Sequence, residues 1–342
     1  MLLLSQVLPL VPSWAFVAAP LLLLFAWFIM VDADLTTFVS GLRGVDPAQL
    51  RDQVVWVLGA SSGIGEELAV QMAAAGAKVV LSARREDELQ RVARRCVGAH
   101  PPMVLPLDVL ELSAHAGAVS AIVARHGSLH WAVLNVGRTQ RALAECTEIA
   151  VTRQLLELNV IAQISLTRAV LPTFLAARSG RLLVTSSVAG KIGSPASSSY
   201  SASKFALQGY YDALRLEVAD RDVKVCVACP GPVATAIETA AFTDTAGQVK
   251  GSAAESLEKK MPAARCAQLM LAAATRDVDE CWISRNPVLL FTYLAQYCPD
   301  LTRAIGKRWI GPMRTRAFRE GRDIYGFSQM AASAIATAAK DE

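Results

Sequence analysis

The amino-acid sequence predicts a doubly wound α/β fold, a parallel sheet covered by helices on both faces. Three observations carry this. Between about residues 50 and 285, short β-branched runs alternate with longer stretches of helical periodicity. Runs such as Val54-Val55-Trp56-Val57-Leu58 are too apolar to keep one face in water, as expected of strands buried on both sides. A glycine-rich turn joins the first run to the first helix. Composition agrees: 53% of the 342 residues are hydrophobic and 19% charged, which excludes a disordered or collagen-like chain. The formal charge of +4 is too mild to argue for nucleic-acid binding. The cysteines, odd in number and scattered, read as small buried apolar residues and not as a disulfide framework.

The apolar excess lies partly at the ends. Residues 1–31 contain no Asp, Glu, Lys, Arg or His, and such a run is long enough to cross a hydrocarbon core about 30 Å thick. Trp14 to Val31 is the best spanning stretch, with Trp14 and Trp27 as interface residues. A cleaved secretory signal is the competing reading. The missing basic n-region and the length of the apolar stretch favour an uncleaved membrane anchor. Residues 32–49 are expected to be a linker, 50–285 one domain, and 286–342 a C-terminal tail. From Arg303 to Arg322 that tail is strongly basic and interleaved with Trp309, Met313 and Phe318. It suits either an anionic membrane surface or packing on the domain with a solvated basic face.

Within the domain, Val54 to Leu58 is the first strand, and a helix follows to Ala75, closed by Gly76. Lys78 to Leu81 is the second strand and Glu86 to Cys96 a helix. Further strands are expected at Met103 to Leu107, Trp131 to Leu134, Leu182 to Thr185 and Val223 to Ala228. Long helices are expected over Val151 to Ala177 and Ser201 to Val218.

The turn after the first strand reads Gly59-Ala60-Ser61-Ser62-Gly63-Ile64-Gly65. Glycines there let the backbone approach a diphosphate at the positive helix N-terminus. The second strand ends in Arg84 and Arg85, where an acid would hold the ribose 2′-hydroxyl of NAD and an arginine suits the 2′-phosphate of NADP. NADP(H) is therefore the expected cofactor, with NAD second.

Tyr200 and Lys204 stand four apart on one helical face. Ser187 lies thirteen residues earlier, at the end of an apolar strand, and Asn159 forty-one residues earlier, on a helix. Both fall on the C-terminal side of the sheet, where open α/β folds bind ligands. Lowering a phenol from about 10 to about 7 requires about 4 kcal/mol. An ammonium about 4 Å away supplies about that much at an effective dielectric of 20. Lys204 could thus make Tyr200 an acid or base near neutral pH.

The glycine turn, Asn135-Val136-Gly137, Asn159, Ser187, Tyr200, Lys204 and Pro230-Gly231-Pro232-Val233 together resemble the short-chain dehydrogenases/reductases, in order and spacing. The resemblance covers about residues 50–285 and implies a single Rossmann-like domain. It implies that Tyr200 donates or accepts the proton, that Ser187 hydrogen-bonds the reacting oxygen, and that Lys204 also holds the nicotinamide ribose. Asn159 would anchor a water of the proton relay. Asp108 resembles the adenine contact and Thr235 the carboxamide contact, while Gly59, Ser61, Ser62, Gly63, Ile64, Gly65, Asn135, Pro230, Gly231 and Val233 fall at cofactor-lining positions. Pairing of two copies through the long helices is implied likewise. Leu58, Leu134 and Val136 depart from the family pattern at the cofactor edge. A narrower likeness, carried by Asn135 to Arg141, Trp282 to Pro299 and the N-terminal run, implies an endoplasmic-reticulum membrane enzyme acting on steroid or retinoid carbonyls.

Cys226 and Cys229 sit three apart in a strand and should face opposite sides, so they would not chelate; no metal is expected. His100, His115, His126 and His130 lack a ligand pattern and should be mostly solvated. Ala236 to Met261, a long stretch of small residues, resembles the mobile flap over the substrate in the short-chain dehydrogenases/reductases. Two other functions compete: reduction of a different lipid carbonyl, or a membrane-tethered scaffold that binds cofactor without turnover.

Overall fold

A computed structural model describes residues 31–251 and 260–321. Apart from Val31, the expected anchor lies outside the described residues, as do part of the flap and the end of the tail.

In chain order, α1 (Leu35–Arg43) precedes β1 (Val54–Leu58), α2 (Gly63–Ala74), β2 (Lys78–Ser82), α3 (Glu86–Arg95) and β3 (Met103–Val104). Then come α4 (His115–His126), β4 (Trp131–Leu134), α5 (Ile149–Ala177), β5 (Gly180–Thr185), α6 (Ser198–Glu217) and β6 (Val223–Pro230). The short strands β7 (Val233–Ala234) and β8 (Met261–Pro262) bracket the flap, followed by α7 (Ala263–Ala274) and β9 (Glu280–Ile283). The tail holds α8 (Val288–Tyr297), α9 (Pro299–Ile305) and α10 (Gly311–Arg319).

Seven strands form one sheet in the order β3-β2-β1-β4-β5-β6-β9, every pair parallel. Every residue of β1 is buried, as a doubly covered strand requires. Val55 and Val57 face the core under α2 and α7, whereas Trp56 and Leu58 face the core under α4, α5 and α6. Cys226 and Cys229 fall in these opposite cores, as their spacing predicts. The strand order reverses between β1 and β4, so a crevice opens at their C-terminal ends.

Several elements depart from the sequence reading. β3 spans only two residues because Pro106 has no N–H to add to the ladder, although Leu105 and Leu107 still donate to Leu81 and Ala83. α5 is long and apolar enough by composition to cross a membrane, yet Val151, Leu155, Leu166, Val170 and Phe174 are all buried in the protein. The stretch read as a linker contains α1, packed on α7: Asp34 caps it by accepting from Thr37 N at 3.0 Å, and Asp32 pairs with Arg265 at 2.9 Å. None of the four histidines is fully exposed. His115 is buried, with Nε2 donating to the Val109 carbonyl at 3.1 Å and Nδ1 against Ser165 Oγ at 2.9 Å; burial pushes its pKa down. His130 Nδ1 accepts from Val54 N at 2.9 Å. These rings satisfy backbone groups and are not solvated, a correction to the expectation.

Candidate functional site

The crevice is a cleft of about 1250 Å³. Its floor begins with the glycine turn. Gly59 and Gly63 have φ of +75° and +62°, where other residues are strained. A Cβ on Gly59 would lie 2.8 Å from the Asn135 carbonyl oxygen, and one on Gly65 would lie 2.2 Å from the Gly59 oxygen. The backbone is thus packed without room for side chains, and the first turn of α2 opens to the cleft. That cradle fits a diphosphate, whose charge the helix N-terminus favours.

A neighbouring network supports the turn. Arg91 reaches Glu66 with both terminal nitrogens, at 2.7 and 2.8 Å, and donates to the Ser61 carbonyl at 3.3 Å. Arg95 also binds Glu66. Arg91 first, opposed by burial and joined by Arg95, holds the Glu66 carboxyl below the ordinary range. This acid, in the first turn of α2, is therefore neutralised beside the anion cradle. The sequence reading passed over it, although Arg91 and Arg95 stand one helical turn apart.

Tyr200 and Lys204 lie on α6 at the centre of the cleft wall. Lys204 Nζ donates to the Thr185 carbonyl at 2.9 Å and lies 5.8 Å from the Tyr200 ring centroid. Full burial lowers the amine to about 8, so it keeps its charge at neutral pH and loses it as pH rises through that value. Ser187, at the end of β5, donates to the Pro230 carbonyl at 3.3 Å and accepts from Ala189 N at 3.1 Å. Asn159 sits in a π-helical turn of α5, Glu157–Ile161, where the widened helix turns its side chain inward. Its Oδ1 accepts from Arg138 N and its Nδ2 donates to the Arg138 carbonyl, both at 2.9 Å. A Cβ on Gly137 would lie 3.2 Å from Asn159 Oδ1 and 3.4 Å from Lys204 Nζ, so the small residue lets these groups meet.

Nearly all the remaining expected residues converge on the same space. Ser61, Ser62, Ile64, Arg84, Arg85, Asp108, Asn135, Pro230, Gly231, Val233 and Thr235 line the cleft with Ser187, Tyr200 and Lys204. Asn135 Oδ1 accepts from Thr185 Oγ1 at 2.9 Å, and Thr235 Cγ2 would lie 3.0 Å from a Cβ on Gly63. Gly65 and Asn159 stand behind the lining, supporting it.

Sequence reasoning missed the other end of the cleft. Val288 and Phe291 of α8, Ile310, and Arg314 of α10 form part of its wall. Arg314 reaches Ser194 Oγ at 3.0 Å, and Arg319 reaches Glu145 at 3.1 Å, so the tail is fastened across the cleft. Phe242 of the flap exchanges backbone hydrogen bonds with Thr139 and Arg141, at 2.9 Å each. The α8 segment is apolar and aromatic, but nothing local in it points to the cleft.

The fold and this constellation define a nicotinamide-dependent oxidoreductase class: residues 53–246 match the short chain dehydrogenase family, and the chain belongs to it. Membership implies a nicotinamide cofactor and a small-molecule substrate. Among relatives, the chain is 40% identical over 305 residues to mouse dehydrogenase/reductase SDR family member 7, covering 86% of this chain and 89% of that one. To the human protein of that name it is 39% identical over 324 residues, covering 91% and 94%. It is also similar to the crystal structure of a short-chain dehydrogenase from Streptomyces avermitilis, with a TM-score of 0.64, 28% identity, and 78% and 99% coverage.

Proposed function

We propose that the protein is a membrane-associated, NADP(H)-dependent oxidoreductase that interconverts hydrophobic carbonyls and alcohols, steroids or retinoids among them. The observation that carries this reading is the placement of Tyr200 and the buried Lys204 on one cleft wall that also receives the glycine turn. A nicotinamide dinucleotide, when bound, supplies or accepts the hydride. The chain's own groups do the rest. In reduction, the Tyr200 hydroxyl gives its proton to the carbonyl oxygen, and Ser187 Oγ donates a hydrogen bond that orients that oxygen. Lys204, while charged, lowers the cost of leaving a phenolate on Tyr200. Asn159 fixes the Arg138 backbone and so the loop beside Lys204.

Arg84 and Arg85, exposed at the end of β2 and lining the cleft, favour the 2′-phosphate of NADP. Asp108 stands for the adenine side and Thr235 for the carboxamide side. The apolar residues 1–31 and the similarity to SDR family member 7 support an endoplasmic-reticulum membrane location, with the tail's exposed Tyr297, Leu301 and Trp309 beside Arg303, Lys307 and Arg308. Ile161, Phe205 and Leu216, exposed on α5 and α6, suit pairing of two copies.

The test is NADPH oxidation by the full chain against a panel of steroid, retinoid and other lipid carbonyls. Tyr200→Phe should lower kcat by about a hundredfold or more. Unchanged turnover in that variant overturns the mechanism. Cofactor binding with no turnover across the panel favours the scaffold.

A further inference from the structure

Arg138 does work in the cleft that the proposed reaction leaves unassigned. Its backbone is held on both sides by Asn159, while its half-buried side chain lines the cleft. The guanidinium carbon lies 5.0 Å from the Phe242 ring centroid, so the flap gives one face of the cation a fixed platform. The preceding residue, Gly137, borders Lys204 and Asn159, which puts the root of this side chain at the reacting end.

Among the described residues, no carboxylate forms an ion pair with Arg138 or with Arg84. Glu238 of the cleft wall is paired with Lys260 at 2.8 Å, Asp108 accepts from Leu110 N at 3.1 Å, and Glu157 stands beyond ion-pair distance. Arg141 is turned to Ser197 Oγ at 2.7 Å and to the Gln140 carbonyl at 3.1 Å. Burial first, and then the charge of Arg84, lower the pKa of the Arg138 guanidinium, which stays a cation with an unmet charge. Two cations therefore act on one partly desolvated space. A guanidinium so placed gains most from an oxyanion it can grip with two N–H groups.

We propose that Arg138 is an anion-binding residue that takes an oxyanion, carboxylate or phosphate, entering the cleft as part of the ligand. Two sources share this chemistry: an acid group on an otherwise apolar substrate, and a phosphate of the dinucleotide. The inference refines the reading of the cleft given above and is separable from it.

The experiment compares the full chain with Arg138→Met and Arg138→Lys in two binding titrations. One follows NADPH by fluorescence. The other follows an oxo fatty acid and its methyl ester on the NADP⁺ complex, which has no hydride to give the carbonyl. If the substrate brings the anion, the unaltered protein prefers the acid by about tenfold or more, and Arg138→Met brings that ratio toward one. If the cofactor brings it, Arg138→Met weakens NADPH by about tenfold and leaves the acid-to-ester ratio unchanged. In either case Arg138→Lys recovers part of the loss. An Arg138→Met protein of unchanged melting temperature in which neither quantity moves by more than about twofold overturns the proposal. Both titrations measure binding, so they read Arg138 even if the panel of carbonyls finds no turnover.

Discussion

The two ends of the cleft are built by different means. The cofactor end is made of short motifs, each local in sequence and brought together by the sheet: a seven-residue turn, strand ends and one helix carrying Tyr200 and Lys204. Its shape is fixed by backbone packed on backbone, as the Gly65 and Gly59 contacts show. The far end is assembled from the 192–197 loop, the flap and the tail helices, held by side-chain bridges such as Arg314 to Ser194. The first design tolerates almost no change in shape, whereas the second can change its lining without disturbing the sheet. One fold can thereby keep a fixed cofactor while varying what it acts on.

Substitutions should break the first end harder than the second. The largest effect is expected from Gly65→Val, whose Cβ would sit 2.2 Å from the Gly59 oxygen. Calorimetry should find NADPH affinity reduced more than a hundredfold, because the turn must open to admit the side chain.

Lys204→Met should follow, lowering kcat about a hundredfold in steady-state assays. Its pH behaviour sharpens the assignment. Lys204 titrates at about 8, below an ordinary amine. In the unaltered protein, kcat/KM for carbonyl reduction should therefore decline as pH rises through about 8. Folding stability responds to pH in the opposite direction. Between about 8 and about 10.4 the unfolded chain holds a proton that the folded chain has lost. Stability relative to Lys204→Met should thus rise with pH across that window, as melting curves of the two proteins would reveal.

A smaller effect is expected at Arg84 and Arg85. Replacing both by Ser should cut the preference for NADPH over NADH about tenfold, measured as a ratio of kcat/KM values. Smallest is Phe291→Ala in the tail wall. It should raise KM for bulky carbonyls about threefold to tenfold while the NADPH KM stays put. A matching rise in both constants would mean that the two ends are not independent.

This contrast also explains what was legible in the sequence. The strands of the sheet and the glycine turn are local signals, since a run like Val54 to Leu58 must be buried wherever it falls. Ser187, Tyr200 and Lys204 could be placed because strand ends and helix starts share one side of a parallel sheet. The π-helical turn at Asn159 left no local trace, as its residues suit an ordinary helix. Nor did spacing disclose that Arg91 neutralises Glu66, or that Phe291 and Arg314 return to the cleft from more than a hundred residues beyond Ser187. His115 misled because a polar ring on a helix is usually wet, and here Val109 and Ser165 satisfy it in the interior.

The clasp between Asp34 and Trp282 has a practical consequence. Asp34 N donates to the Trp282 carbonyl at 2.8 Å, while Trp282 N donates back to Asp34 Oδ2 at 2.6 Å. The outermost strand, β9, is thus closed off by chain that enters from the opposite terminus. A shortened version for solution work that begins after Asp34 would bare this margin and invite self-association, whereas one that begins at Val31 would keep the seam shut.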